Sequence, residues 1–224
     1  CKNYAISGLY VSPANEMSLP ARAVLLLNND SVSTGTYLIE NVAIGDIIID
    51  NAAGHGVVFG MGSYENVQLS GVIKNGCRVS GIYASPGSPI TGAGYMRNCK
   101  LDFACSNLSA PAITGYTGYG TIRGNRMDIT VTNPADNVIG AIIKGDQWTG
   151  SVSCDYDPDL DKVSRAQGIV VWGSYNDVRA SCRGANHGIQ LQSGSTNNII
   201  TLGHMRDNVT SDINVITGAT DNIF

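Results

Sequence analysis

A short motif that returns along most of the chain is the feature that most constrains its fold. From about residue 40 onward the motif recurs roughly every 20 to 32 residues. Each copy runs from a polar pair through alternating apolar residues and a turn into a second strand. The second strands read GVVFG from Gly56, GIYAS from Gly81, GAIIK from Gly140, GIVVW from Gly168 and GIQLQ from Gly188, with looser copies AITGY from Ala112 and DINVI from Asp212. Such a period is typical of a solenoid, because one repeat cannot bury its apolar face without neighbours on both sides.

The pattern within each copy predicts strands rather than helices. Apolar residues alternate with a period of two, and Gly, Asn and Ser interrupt every window that could form a helix. We therefore predict an all-β chain of about seven to eight stacked β-coils, or rungs. The expected organisation is a single segment of a longer protein over residues 1–224, with an irregular first turn over 1–40 and regular rungs over 41–224.

The rungs can be aligned through one inward position in each strand. The first-strand ladder is Val42, Val67, Cys99, Asn125, Val152, Val178, Ile199 and Ile223. The second-strand ladder is Val57, Ile82, Ile113, Ala141, Ile169, Ile189 and Ile213. Neighbouring members of a ladder are expected to be buried and about 4.8 Å apart.

The six cysteines are expected to be free thiols rather than a disulfide framework. Cys99, Cys154 and Cys182 fall on inward positions of first strands, where a thiol packs as a small apolar group. This alignment does not place Cys1, Cys77 and Cys105. A chain of this length has a core of its own. Buried free thiols fit folding in a reducing cytoplasm.

The Asn-rich first strands, the Gly-Ile/Val second strands and the rung length resemble the right-handed parallel β-helix of the pectin-lyase-like superfamily. The segments NHGIQLQSGSTNNII and YENVQLSGVIKNG are most similar to phage tailspikes and related capsule depolymerases. The resemblance covers about residues 40 to 224. It implies a right-handed solenoid in a trimeric spike of the virion tail, outside the cell, which binds a bacterial surface polysaccharide and often cleaves it. Because the repeat is scaffold, the chemistry has to be sought among outward side chains.

Three outward carboxylates are the candidate catalytic group. Aligning CKLDF from Cys99, NRMDI from Asn125 and VSCDY from Val152 places Asp102, Asp128 and Asp155 in one column. Stacked carboxylates repel one another, which should raise at least one pKa. Neighbours would lie near the roughly 5–5.5 Å of retaining glycosidases, and the outer pair near the upper end of the inverting range. We expect hydrolysis by two of the three, with Asp128 as the protonated acid.

A basic column is expected beside the acidic one. Lys100 and Arg126 form it, and Arg179 follows one rung later. These cations could bind an acidic sugar or keep a carboxylate charged. The two columns equally fit a solvated face in which cations offset carboxylates. That alternative is a noncatalytic receptor-binding or structural spike shaft, and a second is a polysaccharide lyase with Arg126 or Lys100 as base and calcium held by the acids.

The acidic run DYDPDLD that begins at Asp155 is predicted to be a solvated loop. Clustered carboxylates suit calcium, so Asp155, Asp157 and Asp159 are the alternative cation site. The run lacks the Gly and the distal Glu of an EF-hand loop. No cofactor is therefore expected.

The outward positions of the second strands are apolar and need a cover. Val58, Tyr83, Ile142 and Val170 form one column, and Tyr116 and Trp172 lie in the next. Two further copies around a threefold axis would cover the first column and give a homotrimer. Tyr116 and Trp172 could instead stack on sugar rings.

The charge and the apolar pattern narrow the possible partners. A net charge of −4 gives no long-range attraction for nucleic acid. No apolar run of 18 residues occurs, so no membrane insertion is expected. Phosphate loops, nucleotide fingerprints and nucleophile elbows are missing, and turns explain the many glycines.

Overall fold

The computed structural model describes residues 2–8, 10–11, 23–27, 38–86, 94–115, 120–157 and 165–224. Every regular element in these ranges is a strand, and no helix long and apolar enough to cross a membrane occurs there. In chain order, the strands begin with β1 Lys2–Ser7, β2 Tyr10–Val11, β3 Ala23–Leu27, β4 Leu38–Ala52, β5 His55–Phe59, β6 Ser63–Gly76, β7 Ser80–Ala84, β8 Tyr95–Arg97, β9 Lys100–Leu108 and β10 Ile113–Gly115. They continue as β11 Thr121–Arg123, β12 Arg126–Thr132, β13 Ala141–Lys144, β14 Thr149–Asp155, β15 Ile169–Trp172, β16 Asp177–Arg183, β17 His187–Leu191, β18 Ile199–Arg206 and β19 Ser211–Val215.

Each strand pairs in parallel with its counterpart one turn later. The long strands follow one another as β1-β4-β6-β9-β12-β14-β16-β18, which we call the long sheet. The second strands form two sheets, β10-β7-β5-β3 and β13-β15-β17-β19. The Ala112 N–H donates to the Gly140 carbonyl at 2.8 Å and so joins these two sheets. The chain is thus an all-β parallel solenoid of about six turns, slightly fewer than the seven to eight expected.

The predicted second-strand ladder is confirmed in register. It runs through Val57, Ile82 and Ile113, and then through Ala141, Ile169, Ile189 and Ile213. Its members through Ile189 are at most 2% exposed. Glycine precedes five of the seven ladder residues, whereas Ala112 precedes Ile113 and Asp212 precedes Ile213. Gly168 shows the steric reason for glycine, since a Cβ there would lie 2.1 Å from Cys182 Sγ and 2.7 Å from the Gly188 carbonyl.

One residue takes a left-handed conformation at a corner near the start of each long strand from β4 to β18, and before β12 this residue is Gly124. The φ angles lie between 52° and 58° at Asn41, Asn66, Asn98, Gln147, Tyr175, Asn197 and Asp221. Asparagine tolerates this region better than most residues, which explains the polar pairs that open the repeats. The Asn66 amide also donates to Asn41 Oδ1 at 3.0 Å, one turn away.

A second set of asparagines is buried directly after that corner. Asn125 accepts a hydrogen bond from the Cys99 N–H, Asn176 from the Trp148 N–H, and Asn198 from the Asn176 N–H, each at 2.9 Å. These side chains satisfy backbone donors that the corner removes from the sheet, as buried polar groups require. We call this set the asparagine ladder.

The predicted first-strand alignment holds up to Asn125 and is wrong at the next rung. Arg126 pairs with Thr149, so Trp148 follows Asn125 in the ladder. Val152 pairs instead with Ile129, four residues further along the strand. A slip by an even number of residues leaves each side chain on its original face, so the alternation of apolar residues did not reveal it.

The alignment also differs in the next rungs. Val178 pairs with Gly150 rather than Val152, and with Ile200 rather than Ile199. Ile199 does form a bridge with Ile223, but their side chains are 45% and 62% exposed, so the predicted burial of these two ladder members is wrong. The reason is that Ile199 is aligned with Asp177 on the outward face of β16.

The cysteine prediction is confirmed for the described residues. Cys77, Cys99, Cys105, Cys154 and Cys182 are buried and free. Burial raises the pKa of both Cys77 and Cys99 to about 12. These thiols are therefore protonated at neutral pH and act as core residues.

Candidate functional site

The outer face of the long sheet carries the charged residues that the sequence singles out. Strands β9, β12, β14 and β16 present four outward columns. The first is Lys100, Arg126, Thr149 and Asp177, the second Asp102, Asp128, Ser151 and Arg179, the third Ala104, Thr130, Ser153 and Ser181, and the fourth Ser106, Thr132, Asp155 and Arg183.

The predicted column of three carboxylates is a pair. Asp102 and Asp128 are aligned on neighbouring strands, as expected. Ser151 occupies the third place, and Asp155 lies in the fourth column, aligned with Thr132. The cause is the four-residue slip of β14. Placing Asp155 beside Asp128 was therefore wrong.

The carboxylate of Asp128 accepts hydrogen bonds from two neighbouring side chains, which fix its position. Arg126 Nε donates to Asp128 Oδ2 at 2.9 Å, and Ser151 Oγ donates to Oδ1 at 3.0 Å. Partial burial would raise the pKa of Asp128, but these hydrogen bonds and the charges of Arg126 and Lys100 outweigh it and lower the pKa below its ordinary value. The expected rise in the pKa of Asp128 is therefore wrong. A general acid of a glycosidase needs the opposite shift.

The basic column is confirmed for two of its three members. Lys100 and Arg126 are aligned, whereas Arg179 lies in the second column, next to Ser151. Lys100 Nζ lies 3.8 Å from Asp102 Oδ2, and both side chains are about half exposed, at 45% and 54%. Such exposed pairs contribute little to stability and fit the solvated-face alternative.

Replacing Arg126 tests what keeps Asp128 ionised. Arg126→Gln should raise the pKa of Asp128, because the substitution removes a charge-assisted hydrogen bond and a nearby positive charge. Carboxyl carbon NMR over a pH titration measures the shift. Lys100→Gln is the matched control and should have a smaller effect, since Lys100 acts on Asp128 through its charge alone. Equal shifts in both variants would contradict the assignment.

An open groove lies where the second strands β13 and β15 end. Its volume is about 440 Å³, and it is lined by residues 120–123, 144–146, 172–174 and Gly194. These segments come from successive turns, so at about 4.8 Å per turn the groove extends roughly 14 Å along the solenoid axis. We call it the tryptophan groove.

The indole of Trp172 is the main feature of the tryptophan groove. Trp172 points outward, as predicted, and is 50% exposed. Lys144 is aligned with it on the preceding turn and places Nζ 4.5 Å from the ring centroid. This cation–π contact holds the ring in place. Tyr116, the other aromatic residue predicted here, lies outside the described residues.

Polar groups held by their neighbours surround the indole. Arg123 Nε donates to Gln147 Oε1 at 2.8 Å, and the Ser174 N–H donates to Asp146 Oδ1 at 2.8 Å. Sequence reasoning missed Arg123, Lys144 and Asp146. For Lys144 a signal existed, because GAIIK and GIVVW place Lys144 and Trp172 at the same repeat position.

The apolar outward column of the second strands is aligned as predicted. Val58 pairs with Tyr83, and Ile142 pairs with Val170. Val58 is 9% and Val170 2% exposed, so part of the column is already buried within one chain. The homotrimer stays a prediction.

The calcium alternative also stays a prediction. No group of three or more His, Cys, Asp or Glu side chains able to hold a metal ion occurs in the part of the chain that the structure describes. Asp159, one of the three carboxylates proposed for calcium, lies outside that part.

No protein-family model, curated protein or solved structure matches the chain. The fold and the site geometry therefore define its class on their own. The chain is a parallel β-solenoid with an exposed aromatic groove on one corner and a charged outer sheet face.

Proposed function

We propose that the chain is the glycan-binding solenoid of a phage tailspike-like protein, and that the tryptophan groove binds a bacterial surface polysaccharide such as capsule or O-antigen. The observation that carries the proposal is the half-exposed indole of Trp172 inside an open groove with polar walls. The apolar face of a sugar ring stacks on an aromatic ring, and its hydroxyl groups bind polar side chains around it. The tailspike resemblance of the repeats supports a polysaccharide as the ligand. Such a protein would act on the virion tail, outside the cell, as a homotrimer.

The extension of the groove along the solenoid axis favours a polymer segment as the ligand. Its volume of about 440 Å³ falls in the range of about 300–1,000 Å³ that is usual for ligand sites. Because the groove crosses successive turns, a glycan chain would lie along the solenoid axis. Affinity should therefore rise with oligosaccharide length until the groove is filled.

Hydrolysis at the Asp102 and Asp128 pair is the second candidate function. The observation in its favour is their alignment on neighbouring strands, since strands about 4.8 Å apart place carboxyl groups near the separation of retaining glycosidases. The ion pairs of both carboxylates and the lowered pKa of Asp128 disfavour a proton donor there. We therefore rank binding without cleavage first, ahead of hydrolysis and of a lyase.

Replacing Trp172 tests the binding proposal. Trp172→Ala should weaken polysaccharide binding about tenfold or more, because losing the burial of a large aromatic side chain is worth at least about 1.5 kcal/mol. Calorimetry with a panel of purified bacterial capsule and O-antigen oligosaccharides measures the affinity. Tyr175→Asn is the matched control, since Tyr175 is 61% exposed, lies outside the groove lining and has a left-handed backbone that Asn tolerates.

Two outcomes would contradict the binding proposal. One is that no member of the panel binds the unmodified protein, and the other is that Trp172→Ala binds as well as Tyr175→Asn. The same samples test cleavage. New reducing ends that disappear in the Asp102→Asn and Asp128→Asn variants would favour hydrolysis over binding alone.

A further inference from the structure

The outer face of the long sheet contains a second groove, separate from the tryptophan groove. Its volume is about 280 Å³, and it crosses β12, β14, β16 and β18. Its lining consists of residues 130–132, 153–155, 181–183, His204 and Arg206. We call it the bulge groove.

A β-bulge in β18 shapes one wall of the bulge groove. The pairing of β16 with β18 shifts between Ala180 and Cys182, so Gly203 and His204 together lie opposite Ser181. The His204 N–H donates to Ser181 Oγ at 3.2 Å. A Cβ on Gly203 would lie 2.0 Å from the same oxygen, so glycine at this position leaves room for the Ser181 hydroxyl to accept this hydrogen bond. Bulges re-aim side chains and are common beside functional sites.

The carboxylate of Asp155 is already bound within the groove. Arg183 donates to Asp155 with two nitrogens, Nε to Oδ1 and Nη2 to Oδ2, the second at 2.8 Å. Hydrogen bonding to Asp155 raises the pKa of Arg183, and the charges of Asp155, Asp207 and Asp157 act in the same direction. The charges of Asp155 and Arg183 therefore compensate each other.

The groove offers free hydrogen-bond donors, and its one carboxylate is already occupied. Asp155 is the sole carboxylate among the lining residues, and Arg183 occupies it. The side chains of Arg206 and His204 are both exposed and have no partner within the described residues. A guanidinium has five N–H donors and no acceptor. A ligand that fits this set must bring acceptor oxygens and negative charge.

We propose that the bulge groove binds an oxyanion, the carboxylate or phosphate group of an acidic sugar, with Arg206 as its main contact. The planar guanidinium matches the two oxygens of such a group. Arg206 is aligned with Arg183 one strand further along. Among the lining residues it supplies a positive charge beyond the compensated pair, and the carboxylates of Asp157 and Asp207, which act on Arg183, lie outside the lining. His204 lies on the same wall, where the bulge turns it outward. This site shares no lining residue with the tryptophan groove.

Titrations with D-glucuronate, inorganic phosphate and neutral D-glucose test the proposal. The NMR signals of the arginine and histidine side chains monitor binding in each titration. Glucuronate or phosphate should shift the His204 and Arg206 signals, and glucose should not. Arg206→Gln should weaken anion binding about tenfold or more, the usual effect of losing a charge-assisted hydrogen bond. Asp155→Asn should strengthen binding, because it releases Arg183 as a second donor. A calcium site would instead be lost by the same substitution.

Arg179→Gln is the matched control, since Arg179 is an exposed arginine of β16 outside the groove lining. Its effect on anion binding should be less than twofold. Equal weakening in Arg206→Gln and Arg179→Gln would overturn the proposal, because it would reduce the binding to general surface charge. Glucose binding as strong as that of glucuronate would also overturn it. Binding of one anion alone supports the site and assigns carboxylate or phosphate as its group.

Discussion

Ile169→Asp is expected to abolish soluble, folded protein. Ile169 is 0% exposed and lies between Ala141 and Ile189 in the continuous second-strand ladder. A carboxylate at this place would be buried without a partner, which costs several kcal/mol even after relaxation. Proteins of this kind have a total stability of only about 5–15 kcal/mol. Soluble yield and far-ultraviolet circular dichroism measure the outcome.

Two control variants separate this effect from a general sensitivity of the sheets. Ile169→Val should fold and lose only about 0.5–1.5 kcal/mol of the free energy of unfolding. Thr130→Asp puts the same carboxylate on an exposed outward position of β12, where it should remain soluble. A folded, soluble Ile169→Asp variant would contradict the burial of the ladder.

The second strands could be read from the sequence because two requirements coincide at five of the seven. The ladder position needs a buried apolar side chain, and the position before it is glycine, as at Gly168, where a Cβ would collide with Cys182. Where the glycine and the alternation of apolar residues agree, only one alignment of neighbouring strands is possible. The burial of Cys99, Cys154 and Cys182 followed from the same alternation of inward and outward positions.

The first strands carried no comparable marker at β14. Val152, Cys154 and their outward neighbours reproduce the alternation of the strand below, although the true ladder residue is Trp148. Because the side-chain period of a strand is two, the alternation cannot detect an error of four residues. This single slip moved Asp155 into the wrong column. Because of it, the predicted alignment put the carboxylate of Asp155 next to Asp128, where the structure has the donor Ser151.

The candidate sites were predictable only where one strand position defines them. Trp172 was found because it ends a second strand. Arg123 and Asp146 line the same groove from the corner before the long strands, where the repeat has no fixed residue type. The bulge groove depends on one inserted residue, Gly203, that shifts the register of β18. An insertion of this kind cannot be distinguished in the sequence from a change of loop length.

Asn198 is the polar residue whose replacement should destabilise the solenoid most. It is 0% exposed, and its Oδ1 accepts from both the backbone N–H and the side-chain amide of Asn176 at 2.9 Å. Its own amide donates to the Gly173 carbonyl at 3.0 Å and to Asn222 Oδ1 at 2.8 Å. One side chain thus connects three turns of the asparagine ladder.

Asn198→Leu fills a similar volume but leaves the Asn176 N–H and the Gly173 carbonyl without their partners. Each unsatisfied buried group costs about 1–3 kcal/mol, so the free energy of unfolding should fall by roughly 2–6 kcal/mol. Urea denaturation measures this loss. Asn197→Gly is the neighbouring control: Asn197 is exposed with φ of 54°, which glycine adopts without strain. If Asn198→Leu is no less stable than Asn197→Gly, other contacts hold the corner, and the asparagine ladder is only a consequence of the fold.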